Sequence, residues 1–369
     1  IQIGGLGVMS VTALVSFFMG RTITVRERLE MSASLSLDDI SGIVRLMREV
    51  MLFTAAIELA GTALLSIRFI PQFGIAEGLW KAFFHAVSAF CNAGFDLMGQ
   101  REAFSNLSDY AQDPLVNLVI IALIVMGGLG FLVWHDLRAN RKWNRLSVHT
   151  RLVLIMTALL LIGGTLAIFV LEYSNPQTLG NMPVGNRVLA SLFQATTCRT
   201  AGFNTIDQGA LRSGTAVICI LLMFVGGSSG STAGGIKTTS VAVLILAAWS
   251  VLRSRRDITV FHRRIEERLV LQAVALVMAA LGLILMGNFI LYTADNVSVE
   301  RALYETVSAF STTGLSENLT PTLGVVSKCW LILEMYLGRI GILTLGAAVF
   351  TRRIFEPKIR YPESKVIVG

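Results

Sequence analysis

The chain has 369 residues and a mass of 40.1 kDa, enough for two soluble domains, but 54% of the residues are hydrophobic, only 15% are charged, and the mean hydropathy is +0.67. That composition excludes an ordinary soluble protein and points to an integral membrane protein. The net charge of +7 would suit a nucleic-acid binder if the basic residues were spread over one domain, but they sort to one side of a membrane, so no nucleic-acid partner is expected.

Residues 1–19 are apolar from the first position, with neither a basic leader nor a small-residue cleavage site, and read as a helix already under way rather than a signal peptide. Further apolar stretches lie at about 50–67, 115–134, 152–171, 214–250, 269–292 and 325–350, each long enough for a ~30 Å hydrocarbon core. Between them, residues 79–91, 188–198 and 300–311 are shorter, moderately apolar and followed by a glycine-containing tetrapeptide. They are too short to span and fit re-entrant half-helices.

The intervening segments 21–49, 135–151, 250–268 and 351–365 hold 21 Lys and Arg against 11 Asp and Glu. By the positive-inside rule this is the cytoplasmic side, and the half-helices then enter from the outer face. The chain is therefore expected to cross its membrane several times.

Internal repetition organises the chain. Aligning Gly94, Gly202 and Gly314 gives HAVSAFCNAGF (85–95), FQATTCRTAGF (193–203) and ETVSAFSTTGL (305–315), with glycine spacings of 108 and 112 residues. A second landmark follows each loop at Gly127-Gly128, Gly226-Gly227 and Gly338, and Gly4-Gly5-Leu6-Gly7 matches Gly127-Gly128-Leu129-Gly130 without a preceding half-helix. The expected fold is an all-α membrane protein with pseudo-fourfold repeats of helix, re-entrant pore loop and helix around a central pore. Residues 1–40 then form the last helix of a truncated first repeat with its cytoplasmic loop, 41–150 the second repeat, 151–265 the third with a broken second helix, 266–350 the fourth, and 351–369 a cytoplasmic tail.

Extended backbone at membrane depth is tolerated where it lines a cavity, and its free carbonyls then suit a cation. The expected cation ligands of a filter are therefore the loops Asn92, Ala93, Gly94 and Phe95; Thr200, Ala201, Gly202 and Phe203; and Thr312, Thr313, Gly314 and Leu315. Within 214–250, apolar periodicity stops at Gly226, Gly227, Ser228, Ser229, Gly230, Ser231, Thr232, Ala233, Gly234 and Gly235, ten residues drawn from Gly, Ser, Thr and Ala that read as an unwound intramembrane loop. A phosphate-binding loop is a poor fit, because Ile236 separates Gly235 from Lys237 and an apolar helix rather than a strand precedes it, so this chain itself is expected to bind no nucleotide.

Arg339, between Gly338 and Gly341, lies deep in the last span, where a charge needs a wet cavity or a partner. Lys237 reads equally as a pore residue or a lysine at the cytoplasmic mouth. For Glu58 and Glu334 the default is a structural hydrogen bond or a pairing with Arg339, with proton coupling as the lesser reading. Arg199 is positioned to hold the second loop through backbone carbonyls, and Glu305 to complement the start of its half-helix. No nucleophile, base and orienter assemble in the sequence, so no enzyme is expected.

The N-A-G-F, R-T-A-G-F and T-T-G-L loops, the glycine-rich break at 226–235, G-R-I-G at 338–341 and I-R-Y-P at 359–362 together resemble the Trk/Ktr/HKT superfamily of potassium-uptake proteins, most closely the bacterial Ktr-type membrane subunit. The resemblance implies one filter strand per repeat, K⁺ as the main transported ion with Na⁺ a candidate activator, and a homodimer seated on a cytosolic nucleotide-binding regulatory ring of the RCK type. It also implies that the 226–235 loop obstructs the pore and moves in gating, with Arg339 projecting into the pore beside it. Two alternatives remain at this point, an alternating-access cation symporter and the membrane subunit of an ATP-driven K⁺ pump. Parallel repetition speaks against the symporter, since alternating-access folds usually repeat in inverted pairs.

Overall fold

The structure is a computed structural model and describes residues 1–6, 43–99, 105–255 and 257–341. The expectations for the rest of residues 1–40, for the last part of the 325–350 span and for the 351–369 tail lie outside the described residues.

Among the described residues the elements repeat. A long helix α2 (Ile43–Phe73) is followed by a shorter α3 (Ile75–Phe90), a glycine-containing loop and α4 (Pro114–Leu129), which bends into α5 (Phe131–Ala139). The order recurs as α6 (Val148–Glu172), α7 (Val184–Thr197), α8 (Ser213–Phe224) and α9 (Thr238–Leu252), and again as α10 (Glu267–Asp295), α11 (Val299–Phe310) and α12 (Val325–Ile340). A short α1 (Gln2–Leu6) precedes them, and a two-stranded hairpin of β1 (Thr259–Val260) and β2 (Arg263–Arg264) joins α9 to α10.

Among the described residues three helices are long and apolar enough to cross a membrane, over Met47–Phe73, Val148–Glu172 and Glu267–Asp295. Their start and stop signals are local. Asp113 accepts from the backbone of Leu115 and Val116 ahead of Pro114, Ser147 accepts from Thr150 N at 3.1 Å, and Asn296 ends α10 in the left-handed region at φ 52°. Inside α2 the hydroxyls of Thr62 and Ser66 donate back to carbonyls four residues earlier, which hides polar groups in an apolar span.

One predicted span is corrected. The apolar run 115–134 breaks at Gly130 (φ 93°), and α4 and α5 meet at 90°. The residues after the break remain apolar, so hydrophobicity alone hides it. The region expected to be broken, between α8 and α9, is open over 225–237.

Packing links each unit to the next. Each half-helix packs on the first helix of its own unit, and α4 and α8 each pack on the half-helix of the following unit, α7 and α11. The cores cross the same boundaries: Phe193, Ala201 and Phe203 join the cluster built on Leu65, Phe69, Phe90 and Ile120, while Tyr304, Val307 and Phe310 join that of Ile168, Cys219 and Met223.

At Gly127 and Gly338 the second glycine landmark has a physical reason, whereas Gly226 faces Gly234 O within the unwound segment. A Cβ at Gly127 would lie 1.9 Å from the carbonyl oxygen of Phe90, and one at Gly338 would lie 1.7 Å from that of Phe310. The returning helix thus touches the last carbonyl of the half-helix before it, an approach open only to a residue without a side chain.

Candidate functional site: three converging loops above an unwound segment

The half-helices α3 and α11 end alike. Ala93 N donates to Ser88 O at 2.9 Å and Asn92 N to Ala89 O at 3.2 Å; Thr313 N donates to Ser308 O at 2.9 Å and Thr312 N to Ala309 O at 3.0 Å. This is a Schellman ending whose left-handed residue is not glycine but Asn92 (φ 49°) or Thr312 (φ 56°), with Thr200 (φ 66°) in the same place after α7. The aligned glycines two residues on are left-handed too, at 70°, 84° and 88° for Gly94, Gly202 and Gly314. Two such residues within three turn the chain out of the helix and leave carbonyls unpaired. Threonine is costly in that region, and strain of this kind gathers at functional sites.

The loops converge. A Cβ on Gly94 would lie 2.4 Å from Ala201 O and 2.9 Å from Gly202 Cα, and one on Gly202 would lie 2.1 Å from Thr313 O. Gly314 has no such neighbour and borders a cavity of about 620 Å³, which reaches from Ala93, Phe95, Thr312 and Leu315 past Gly4 and Gly5 to Arg339. Phe95 is exposed at its edge, whereas Phe203 and Leu315 are buried. All twelve residues expected at the loops therefore fall within three adjoining turns.

Side chains behind the loops fix their return. Ser88 Oγ donates to Phe95 O at 2.7 Å and Thr197 Oγ1 to Phe203 O at 2.5 Å. In the third loop a carboxylate does this work: Glu305 accepts from Ser316 Oγ at 2.5 Å, Thr320 Oγ1 at 2.6 Å and Glu317 N at 3.2 Å. Glu305 sits in the middle of α11 rather than in its first turn, so its role differs from the expected helix-start complement. Neighbouring return segments are tied by Leu107 N to Asn204 O at 3.1 Å and by Asn318 Nδ2 to Asp207 Oδ1 at 3.1 Å.

Residues 226–235 lie directly under the loops and touch each of them. Thr232 Oγ1 donates to Phe90 O at 2.9 Å and lies 3.4 Å from Asn92 Oδ1. A Cβ on Gly226 would lie 3.1 Å from Thr200 Cγ2, and one on Gly234 would lie 2.1 Å from Thr312 Oγ1. The segment is held more firmly than its composition suggests. Ser228 N and Oγ donate to Gly128 O at 3.0 and 3.1 Å, and Oγ also reaches Leu129 O. Thr232 N donates to Gly127 O at 3.3 Å, and Phe131 N donates to Gly230 O at 2.9 Å. The break at Gly130 frees the backbone groups of α4 and α5 that this segment pairs. Gly226 N to Ile236 O at 2.9 Å and Thr238 N to Gly227 O at 3.0 Å close its base, and Ser231 Oγ, Ser229 Oγ and Lys237 Nζ bond within it or its stem. Lys237 thereby caps the segment at Ala233 O, 2.8 Å away.

The charges expected inside the spans separate. Arg339 donates to Thr232 O and, at 2.6 and 2.9 Å, to the carbonyls of Gly4 and Gly5, and so fastens the unwound segment to α1 and α12. Neither glutamate pairs with it. Glu58 accepts from Gln2 Nε2 at 3.1 Å with Cys91 Sγ beside it, and Glu334 accepts from Trp330 Nε1 at 2.9 Å against Gly287. Arg199 does not hold its loop through backbone carbonyls: its side chain turns back to Thr157 Oγ1 at 3.4 Å, while its carbonyl accepts from Asn92 Nδ2 at 3.3 Å.

Among the described residues no three His, Cys, Asp or Glu side chains gather as a metal-binding group, so the polar surface at the loops is mainly backbone oxygen and hydroxyl. Carbonyls of that kind suit an alkali cation, and the negative ends of the half-helix dipoles, directed at the same place, favour a cation over an anion. Fold and site together describe a helical membrane protein with re-entrant loops at its centre.

Comparison with known proteins agrees. A family model described as TrkH, cation transport protein, matches residues 1–358. Ktr system potassium uptake protein B of Bacillus subtilis is 41% identical over 370 residues, covering all of this chain and 81% of the relative. Potassium/sodium uptake protein NtpJ of Enterococcus hirae is 36% identical over 374 residues, covering all of this chain and 82% of the relative. The crystal structure of the potassium transporter TrkH from Vibrio parahaemolyticus superposes with a TM-score of 0.70 at 17% identity, covering 95% of this chain and 70% of that one, which is a likeness of fold. The chain belongs to the TrkH family of cation transport proteins. It is a multi-pass protein of the bacterial plasma membrane and a transporter rather than an enzyme.

Proposed function

We propose that the chain forms a channel-like pore for K⁺ uptake, in which Asn92–Phe95, Thr200–Phe203 and Thr312–Leu315 present backbone carbonyls as strands of a four-strand filter. The observation that carries this reading is the contact between successive loops, Gly94 against Ala201 O and Gly202 against Thr313 O, with Gly94, Gly202 and Gly314 each preceded by a second left-handed residue at the same register. The choice of ion rests on the relatives, one named a potassium and another a potassium/sodium uptake protein. Na⁺ accordingly enters as a second permeant or activating ion.

Residues 226–235 with Lys237 and Arg339 act, in this reading, as the gate, since the segment lies below the loops and its Thr232 carbonyl accepts from the Arg339 guanidinium. Units over 41–150, 151–265 and 266–350 surround the pore. A homodimer on a cytosolic nucleotide-binding ring supplies the regulation, nucleotide being bound by the ring and not by this chain.

The test is flux from proteoliposomes. The parent protein should pass K⁺ in preference to Na⁺, and Gly202→Ser, whose Cβ meets Thr313 O, should reduce that preference at least tenfold. Equal preference in parent and variant, with both inserted and folded, would sink the filter assignment.

A further inference from the structure

On the face opposite the filter, the bend at Gly130 turns α5 across the ends of its neighbours. Between α5 and α2 lies a cavity of about 390 Å³, within the usual range of about 300–1,000 Å³ for ligand pockets. Its walls are apolar, built from Val50, Phe53, Phe131, Trp134 and Leu137, with the rings of Phe53 and Trp134 5.1 Å apart. The rim is polar and carries Arg138, His135 and Glu49.

Among the described residues, Glu49 and Asp136 near this rim are engaged. Glu49 Oε2 lies 3.1 Å from His135 Nδ1, and Asp136 accepts from Thr150 Oγ1 at 2.6 Å, Asn140 Nδ2 at 2.9 Å and Ser147 N at 2.9 Å. Arg138 has no hydrogen-bond or ion-pair partner among the described residues. The chain leaves the rim through Arg141, Lys142 and Arg145, all exposed, with exposed Trp143 among them. An apolar pocket at a helix end, a cationic rim, and a tryptophan flanked by four basic residues in eight match the two halves of one molecule, an acyl chain and a phosphate headgroup.

We propose that this cavity binds an anionic phospholipid of the inner leaflet, its acyl chain between Phe53, Trp134 and Leu137 and its phosphate on Arg138. The site lies outside the filter loops, and its wall residue Phe131 donates its backbone N–H to Gly230 O of the 226–235 segment. Arg138 suits the role because its planar fork can donate two hydrogen bonds to one phosphate. The basic run beyond it holds the headgroup end at the surface, where each Lys or Arg contributes a several-fold gain in attraction for anionic lipid.

Trp134, in the wall, serves as the reporter. The full chain and its Trp134→Phe variant are reconstituted in vesicles containing dibrominated phosphatidylglycerol or dibrominated phosphatidylcholine, and the difference between their emissions isolates Trp134. The expected result is quenching by the glycerol lipid at a lower mole fraction than by the choline lipid. Arg138→Gln, an exposed change that leaves the apolar walls intact, should raise the mole fraction of glycerol lipid needed about fivefold. Equal quenching by the two lipids, or quenching unchanged by Arg138→Gln, overturns the anionic preference. Absence of Trp134 quenching while the exposed tryptophans are quenched overturns the cavity as a lipid site.

Discussion

Thr232 joins Arg339 to the end of α3: its carbonyl accepts from the guanidinium while its hydroxyl donates to Phe90 O at 2.9 Å. Thr232 is fully buried, so water cannot replace its hydroxyl bond. Residues from three units, Phe90, Thr232 and Arg339, are linked through this one position in the unwound segment. Movement of the segment must break or exchange both bonds.

Thr232→Val keeps the shape and removes the donor. Leaving Phe90 O short of a partner should cost about 1–3 kcal/mol. A thermal unfolding scan in detergent should show a lower midpoint, and K⁺ flux from proteoliposomes should rise, because the segment is held less firmly. An unchanged midpoint would mean that the bond contributes nothing to its placement.

The close approach of helices to half-helix ends gives a second expectation. Gly127→Ala and Gly338→Ala each put a methyl group within 2 Å of a carbonyl oxygen, so each should destabilise the fold by at least about 1–3 kcal/mol. Gly163→Ala and Gly282→Ala, on α6 and α10 with nothing within 4 Å, should be neutral or stabilising by up to about 1 kcal/mol. Comparing the four midpoints tests whether this landmark marks contact or general helix flexibility.

Much of this was legible in the sequence because it follows from local rules. Left-handed backbone favours glycine, so Gly94, Gly202 and Gly314 stand out in any alignment of the chain with itself, and an apolar span cannot continue through GGSSGSTAGG. What stayed hidden depends on partners about a hundred residues away. Gly130 breaks an apolar run, and the segment that pairs the freed backbone groups, through Ser228 and Gly230, lies about 100 residues further on. Arg199 turns to Thr157 on α6, a partner 42 residues earlier that no spacing rule selects. Glu305 sits at a position held by His85 in one repeat and Phe193 in another, so repetition concealed its task. The only local hint was the run of Ser316, Thr320 and neighbouring polar groups just after the third loop.

That task gives a third prediction. Glu305→Ala removes the acceptor of two hydroxyls and one backbone N–H, which releases the return of the third loop without touching the loop itself. Flux measured in K⁺ and Na⁺ should show a loss of K⁺ preference of about tenfold, with the thermal midpoint lowered as well. Thr320→Val, which removes one of the three bonds, should show a smaller loss in the same direction. Retained preference in both variants would assign the carboxylate to stability alone.

Gly314 provides a contrast among the loop glycines. Serine at Gly94 or Gly202 meets a neighbouring carbonyl, whereas serine at Gly314 meets open space and suffers only the left-handed backbone, a cost of about 1–2 kcal/mol. Gly314→Ser should therefore fold closer to the parent than the other two, as read by yield and thermal midpoint, while still altering K⁺ over Na⁺ preference. Equal damage at all three would show that backbone conformation, not crowding, sets the requirement.

We propose that Arg339 holds the 226–235 segment as a barrier below the loops, and the decisive measurement is K⁺ flux from proteoliposomes of the Arg339→Ala protein without any cytosolic partner. Loss of the guanidinium removes the bonds to Thr232, Gly4 and Gly5 and a positive charge that repels a cation in a low-dielectric path. The account predicts a maximal K⁺ flux several-fold above the parent with K⁺ over Na⁺ preference nearly unchanged; a folded, inserted variant that conducts no faster than the parent would contradict it.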